Sequence, residues 1–362
     1  MSHPRFAPQE PNASTPVPGA VGPYPPYQAP RPMSVYRPWA GEYHRAAVTA
    51  RKVDKRLMPR PFTAWRPLWE LLVDVVLLIP VLIITVVLFA FWELATPVDN
   101  FDDYLANLGD ATDPVGLTVS LLSVSILGFV PFLGASLGGG RSTRFLWSVV
   151  GRIRWRIVWI SAGVTTGLTV LNLLLGYVLF ADEGQGFSPV LDQRMILMIV
   201  IAVLLVPVQA TAEELVFRGA IPQIVGSWIK KPWIPYGVGV PLFVAGHTYS
   251  WQGLIGIAIF GVCAAYLTYK TNGLEAAMGM HTMNNMLLFI AGALTGENAL
   301  EENIPLLDAV ISSIFTIVIT LVVLRCLRAT VAEASAARQA VARQIGAYNG
   351  GYVYDPRYAH PR

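Results

Sequence analysis

Apolar residues run along this chain in long, nearly unbroken blocks, not at the period of two or 3.6 that marks a half-buried strand or helix. Eight blocks stand out between residues 68 and 328: 69–95, 114–137, 157–181, 195–215, 235–250, 253–270, 274–293 and 305–325. Their ends are placed to within about four residues. About 20 apolar residues cross a bilayer core as a helix. The pattern therefore predicts an all-α polytopic membrane protein with about eight transmembrane helices. The fifth block is short and is crowded by Pro232, Pro235 and Pro241, so a kinked or partly re-entrant segment is expected there.

Composition agrees. Of 362 residues, 54% are hydrophobic and only 14% charged, which excludes a water-soluble globular enzyme. The polar residues gather in the flanks. Residues 1–66 form a Pro-rich, basic stretch too poor in aliphatics to bury a core, and are expected to be a disordered cytoplasmic tail. Residues 67–328 form the membrane domain. Residues 329–362 read as a short Ala-rich cytoplasmic helix, 329–346, followed by a disordered end.

The net charge of +3 hides an asymmetry that sets orientation. With the N-terminus inside, only Arg194 of the 26 Lys and Arg residues falls on the outer side, while Asp99, Asp102, Asp103, Glu297, Glu301 and Glu302 lie there. The positive-inside rule then places both termini in the cytoplasm of a cell-membrane protein. The cluster RKVDKRLMPR at 51–60 is a retention signal and a candidate contact for anionic lipids of the bilayer. Nucleic-acid binding has no support beyond basic tails, which the membrane explains. Two cysteines, Cys263 and Cys326, exclude a disulfide framework.

Ionisable side chains inside spans are costly, and each marks a candidate site. Glu213, Glu214 and Arg218 end the fourth block, and His247 and His281 lie in the fifth and seventh. Glu214 and Arg218 are spaced i,i+4 and can pair. Neighbouring helical residues point about 100° apart, so the two glutamates are expected to serve different faces, with Glu213 turned to a cavity. His281 and Asn285 share a face by the same i,i+4 spacing, whereas Asn284 turns away. A carboxylate and a histidine can deprotonate water, and a histidine and an amide can donate to a developing oxyanion. The same set could bind a divalent metal, so residue type leaves the mechanism open.

Three motifs narrow the reading. EELVFR at 213–218 resembles the EExxxR motif of the CAAX-protease and bacteriocin-processing family (CPBP, or Abi). FVAGH at 243–247 resembles its FxxxH motif, and HTMNN at 281–285 its HxxxN motif, in the family's order and at a similar spacing. The resemblance covers roughly residues 155–325. It implies an intramembrane glutamic endopeptidase acting on a membrane-associated peptide or protein. By the resemblance, Glu213 is the general base assisted by His247, and His281 and Asn285 form the oxyanion pair. Glu214, Arg218 and Phe243 are supporting motif residues. No cofactor is implied on this reading; zinc is the mechanistic alternative, disfavoured because no third histidine or thiolate stands near. The functional alternative is a non-proteolytic scaffold, immunity or regulatory protein of the same fold.

Depth strains the picture. If the fourth span ends at Arg218, Glu213 lies about 7 Å from the inner interface, His281 about 10 Å and His247 about 18 Å. A water-filled cavity open to the cytoplasm is expected, with the fifth segment bent or starting late.

Overall fold

The computed structural model describes residues 42–49, 65–95, 111–180, 189, 191–299 and 304–347. The disorder expected for most of residues 1–66 and for the chain's end lies outside these residues, as does most of the acidic connection after the first span. Each apolar block is a helix: α1 (Trp65–Ala95), α2 (Pro114–Gly138), α3 (Trp155–Phe180), α4 (Gln193–Trp228), α5 (Trp233–Ala245), α6 (Trp251–Thr271), α7 (Glu275–Thr295) and α8 (Leu306–Cys326). A ninth helix, α9 (Arg328–Ala347), follows. Among the described residues there is no strand, only a bridge between Ser148 and Gly273. Six helices, α1, α2, α3, α4, α6 and α8, are long and apolar enough to cross a membrane, and α5 is a shorter apolar helix. Helix α7 has the length, 21 residues, but Glu275, His281, Asn284 and Asn285 dilute its apolar character. The protein is an all-helical, multi-pass membrane protein.

Local chemistry starts the helices where the blocks start. Asp113 caps α2, its carboxylate accepting from the Gly116 amide at 2.7 Å, with Pro114 in the first turn. Asp192 caps α4 in the same way through the Met195 amide.

Helix α4 corrects the expected end of the fourth span. It passes Glu214, widens into a π-helical stretch at Leu215–Ala220, and resumes as Ile221–Trp228. Pro222 is a physical cause: it has no N–H to give the carbonyl four residues back, so the regular ladder cannot close there. Arg218, taken as interfacial, is only 2% exposed. Fifteen residues separate Glu213 from Trp228, or about 22 Å of helix.

A second correction concerns the N-terminal stretch. Tyr43–Arg45 forms a 3-10 turn and Ala46–Thr49 a helical turn, within the region expected to be disordered. Tyr43, His44 and Ala46 are buried. The Tyr43 hydroxyl donates to the Leu146 carbonyl, His44 Nε2–H to the Lys230 carbonyl at 3.0 Å, and Arg45 to the Gly226 carbonyl at 2.9 Å. A Cβ at residue 226 would run into the His44 backbone, so Gly226 is what lets this strap lie against α4.

Buried ion pairs hold the scaffold. Glu70 of α1 meets Arg141, just after α2, at 2.6 Å, and Arg141 Nη1 donates to Gln223 of α4 at 2.7 Å. Gln223 passes its own amide hydrogen to the Phe145 carbonyl. Glu275, wholly buried at the start of α7, accepts from the backbone amide and guanidinium of Arg154. A carboxylate there also favours the positive end of the helix. This tie sets the start of α7 beside α3. One turn on, Gly279 lets the helices approach so closely that a Cβ would lie 2.5 Å from the Val158 carbonyl oxygen.

Candidate functional site

Helices α4 and α7 lie side by side, and their polar residues meet between them. His281 of α7, 2% exposed, is flanked by both glutamates of α4. Its Nδ1–H donates to Glu214 Oε1 at 2.7 Å, and its Nε2 lies 3.2 Å from Glu213 Oε2. The expectation that the two carboxylates serve different faces is therefore corrected. The two ring nitrogens of one imidazole diverge, so a single residue seated between the two helical directions meets both.

Glu214 also meets Arg218 Nη1 at 3.2 Å, the pairing read from the i,i+4 spacing. The guanidinium rests on the ring of Phe243, 4.0 Å from its centroid, an arrangement worth about 2 kcal/mol when desolvated. Phe243 is the hub of the aromatic packing: its ring is 4.7 Å from His247, 5.3 Å from Phe217 and 6.1 Å from His281. Phe260 of α6 closes on His281 at 4.8 Å. Two oxygens, Glu213 Oε2 and Glu214 Oε2, and both terminal nitrogens of Arg218 are buried without a hydrogen bond. Such groups are expensive unless used.

His247 stands differently from expectation. Helix α5 ends at Ala245, and His247 lies in the connection to α6. Its Nδ1–H donates to the Phe243 carbonyl at 2.7 Å, which leaves Nε2 as an acceptor. Among the described residues, no ion pair joins it to either glutamate. Tyr249 stacks on it, with centroids 5.9 Å apart. Burial, then the nearby charge of Glu213, push the Tyr249 hydroxyl above its ordinary value.

Asn285 is half-buried one turn along α7 from His281, and its Nδ2 donates to Gln209 Oε1 at 3.4 Å. Asn284, expected to turn away, donates to Asn285 Oδ1 at 3.2 Å. Gln209, Tyr249 and Phe260 are the neighbours that motif reasoning missed. Gln209 carried a signal: it is a polar residue inside a span, four before Glu213 and on the same face.

Toward the Lys230–Lys231 end the cluster is closed by Leu274 and Tyr43, both 0% exposed. His247, Tyr249, Asn284 and Asn285 are half-buried and Thr248 is exposed, so the Gly246–Ser250 connection is the more open side. A groove of about 890 Å³ lies along α1 and the end of α2, between Trp65, Trp69, Leu72 and Leu137. None of the residues above lines it. Among the described residues, no group of three or more His, Cys, Asp or Glu side chains is arranged to hold a metal ion.

Residues 192–287, the stretch that holds all three motifs, match the family model described as type II CAAX prenyl endopeptidase Rce1-like. The chain is 32% identical over 171 residues to an uncharacterized protein, YyaK, of Bacillus subtilis (strain 168). That match takes in 43% of this chain and spans about half, 55%, of the length of its relative. No solved structure matches the chain.

Proposed function

We propose that the protein is an intramembrane endopeptidase that hydrolyses a peptide bond in a membrane-associated peptide or protein. The observation that carries the reading is the buried meeting of Glu213, Glu214 and Arg218 with His281 inside the segment that matches the prenyl endopeptidase model. A buried charged cluster, with carboxylate oxygens that lack a hydrogen bond, is costly at the centre of a helical bundle and marks a functional site by default.

On this reading Glu213 is the general base. It takes a proton from a water on the Gly246–Ser250 side, the hydroxide oxygen bonds to the scissile carbonyl carbon, and the C=O electron pair moves onto oxygen. As Glu213 becomes protonated its hold on His281 Nε2–H weakens. That hydrogen and a free Nδ2–H of Asn285 then meet the oxyanion. Collapse of the intermediate breaks the C–N bond, and the proton on Glu213 passes to the leaving amine, with Nε2 of His247 as the acceptor that steers it. Glu214 and Arg218 hold His281 from behind, and Phe243 supports the guanidinium. Residues 67–328 form the membrane-embedded protease domain, with both termini cytoplasmic in a cell-membrane protein and anionic lipid at the basic segment before α1. The donor set falls short of a three-ligand zinc site, so no step passes through a metal.

The test uses the full-length protein in lipid nanodiscs and an internally quenched peptide ending in a farnesylated Cys-a-a-X sequence. Wild-type protein cleaves it and Glu213→Gln does not. Equal rates for the two would remove Glu213 from the mechanism. No cleavage by wild type, together with no membrane peptide accumulating on Glu213→Gln in cells, would favour the scaffold alternative.

A further inference from the structure

Helices α4 and α7 run in opposite directions, and their polar residues pair as successive rungs. Glu213 faces His281, and one turn away Gln209 faces Asn285. Gln209 belongs to none of the three motifs, yet it is 7% exposed and its side-chain carbonyl accepts from Asn285 Nδ2. The other end of the same amide is also held, because Asn284 Nδ2 donates to Asn285 Oδ1. One hydrogen of Asn285 Nδ2 remains for a further acceptor.

An amide group is nearly symmetric in shape and opposite in function at its two ends. Turned one way, Asn285 offers N–H to a developing oxyanion. Turned by half a rotation, it offers a carbonyl oxygen that repels it. A carbonyl acceptor presented by the facing helix favours one of the two, since only the nitrogen end can satisfy it, and the Asn284 donor at Oδ1 favours the same one. We propose that Gln209 is a positioning residue, whose carbonyl sets which end of the Asn285 amide faces the scissile bond. The inference rests on the oxyanion role read for Asn285 above. It adds a fourth contributor from α4, one turn before the glutamates, that acts only through Asn285.

The experiment uses the same nanodisc-embedded protein and farnesylated quenched peptide. Gln209→Met keeps length and volume and removes the acceptor. A mis-set amide loses part of the 10²–10³-fold contribution of an oxyanion donor, so kcat falls by about tenfold or more while KM stays within about twofold. Gln209→Leu serves if the Met form does not accumulate folded. In an Asn285→Ala background the same change at residue 209 has no further effect on kcat, because the group it positions is gone. A simple helix-packing role would instead lower the melting temperature and multiply with Asn285→Ala. If Asn285→Ala slows the reaction and Gln209→Met does not, or if the two effects multiply, the inference is overturned while the peptidase reading stands. If Asn285→Ala leaves kcat unchanged, or wild type does not cleave the peptide, the oxyanion reading itself falls and the inference with it.

Discussion

Glu214 and His281, 67 residues apart in sequence, are joined by a 2.7 Å hydrogen bond at a point where both side chains are essentially out of solvent. This contact does two things at once. It requires a hydrogen on His281 Nδ1 for Glu214 to accept, and it couples α4 to α7 at the level of Glu213. The same carboxylate neutralises Arg218, so one side chain anchors a histidine and a guanidinium.

The two glutamates should therefore separate cleanly. Glu214→Gln removes the ion-pair partner of the buried Arg218, a change that costs roughly 3–5 kcal/mol in comparable buried pairs. Glu213→Gln should keep a near-native melting temperature and lower turnover by about 10²–10⁴-fold. Thermal unfolding in nanodiscs, read alongside the cleavage rate, distinguishes them. Equal melting temperatures for the two variants would contradict this division.

Glu70 and Arg141 make the same kind of pair far from the site, each only 1% exposed. Glu70→Gln should lower stability by roughly 3–5 kcal/mol and loosen α1, with KM for the peptide unchanged in the molecules that remain folded. Protease nicking near residue 65, compared with wild type, reads the loosening. Unaltered melting and nicking would show that α1 is held by other contacts.

His44 should make stability fall in acid. Burial holds its pKa down at about 4, against an ordinary 6.5. The unfolded chain therefore binds the proton that the folded chain refuses. The contribution is complete above pH 6.5 and is lost progressively as pH falls towards 4. At about 1.4 kcal/mol per unit, the full swing is roughly 3 kcal/mol. Melting curves between these limits should show the loss, and His44→Phe should flatten it. A parallel decline in the variant would assign the acid sensitivity elsewhere.

Orientation is testable with reporter fusions. Joined after Arg141 and after Arg328, both should report cytoplasm, and one near Asp103 should report the outside. An outside signal at Arg328 would mean that one of the eight helical segments, with α5 the first suspect, does not cross.

Dialysis against a strong chelator should leave cleavage intact in protein with substoichiometric metal by elemental analysis. Loss of activity restored by zinc alone would transfer water activation from Glu213 to a metal.

The hydrophobic pattern by itself determined the helical elements. Each of the eight apolar blocks is a helix within a few residues of its drawn limits, apart from the ends of the fourth and fifth, because a bilayer-length apolar run has few other ways to satisfy its backbone. The i,i+4 pairing of Glu214 with Arg218 was legible for the same local reason, as helix geometry alone brings those groups together. What the pattern could not decide was set by contacts between distant segments. Arg218 looked interfacial because a charge usually ends a span; the fold buries it by supplying Glu214 on one side and the Phe243 ring on the other. Tyr43–Thr49 looked like tail because seven residues carry too little apolar surface to order themselves, and they are held by the Leu146, Gly226 and Lys230 carbonyls and by the close approach at Gly226. That both glutamates share one histidine, and that Gln209 meets Asn285, depends on the rotation and register of α7 against α4. Contacts with other helices, among them the Arg154–Glu275 tie and the close approach at Gly279 that seat α7 on α3, bear on both, and neither rotation nor register can be read from spacing along a single helix.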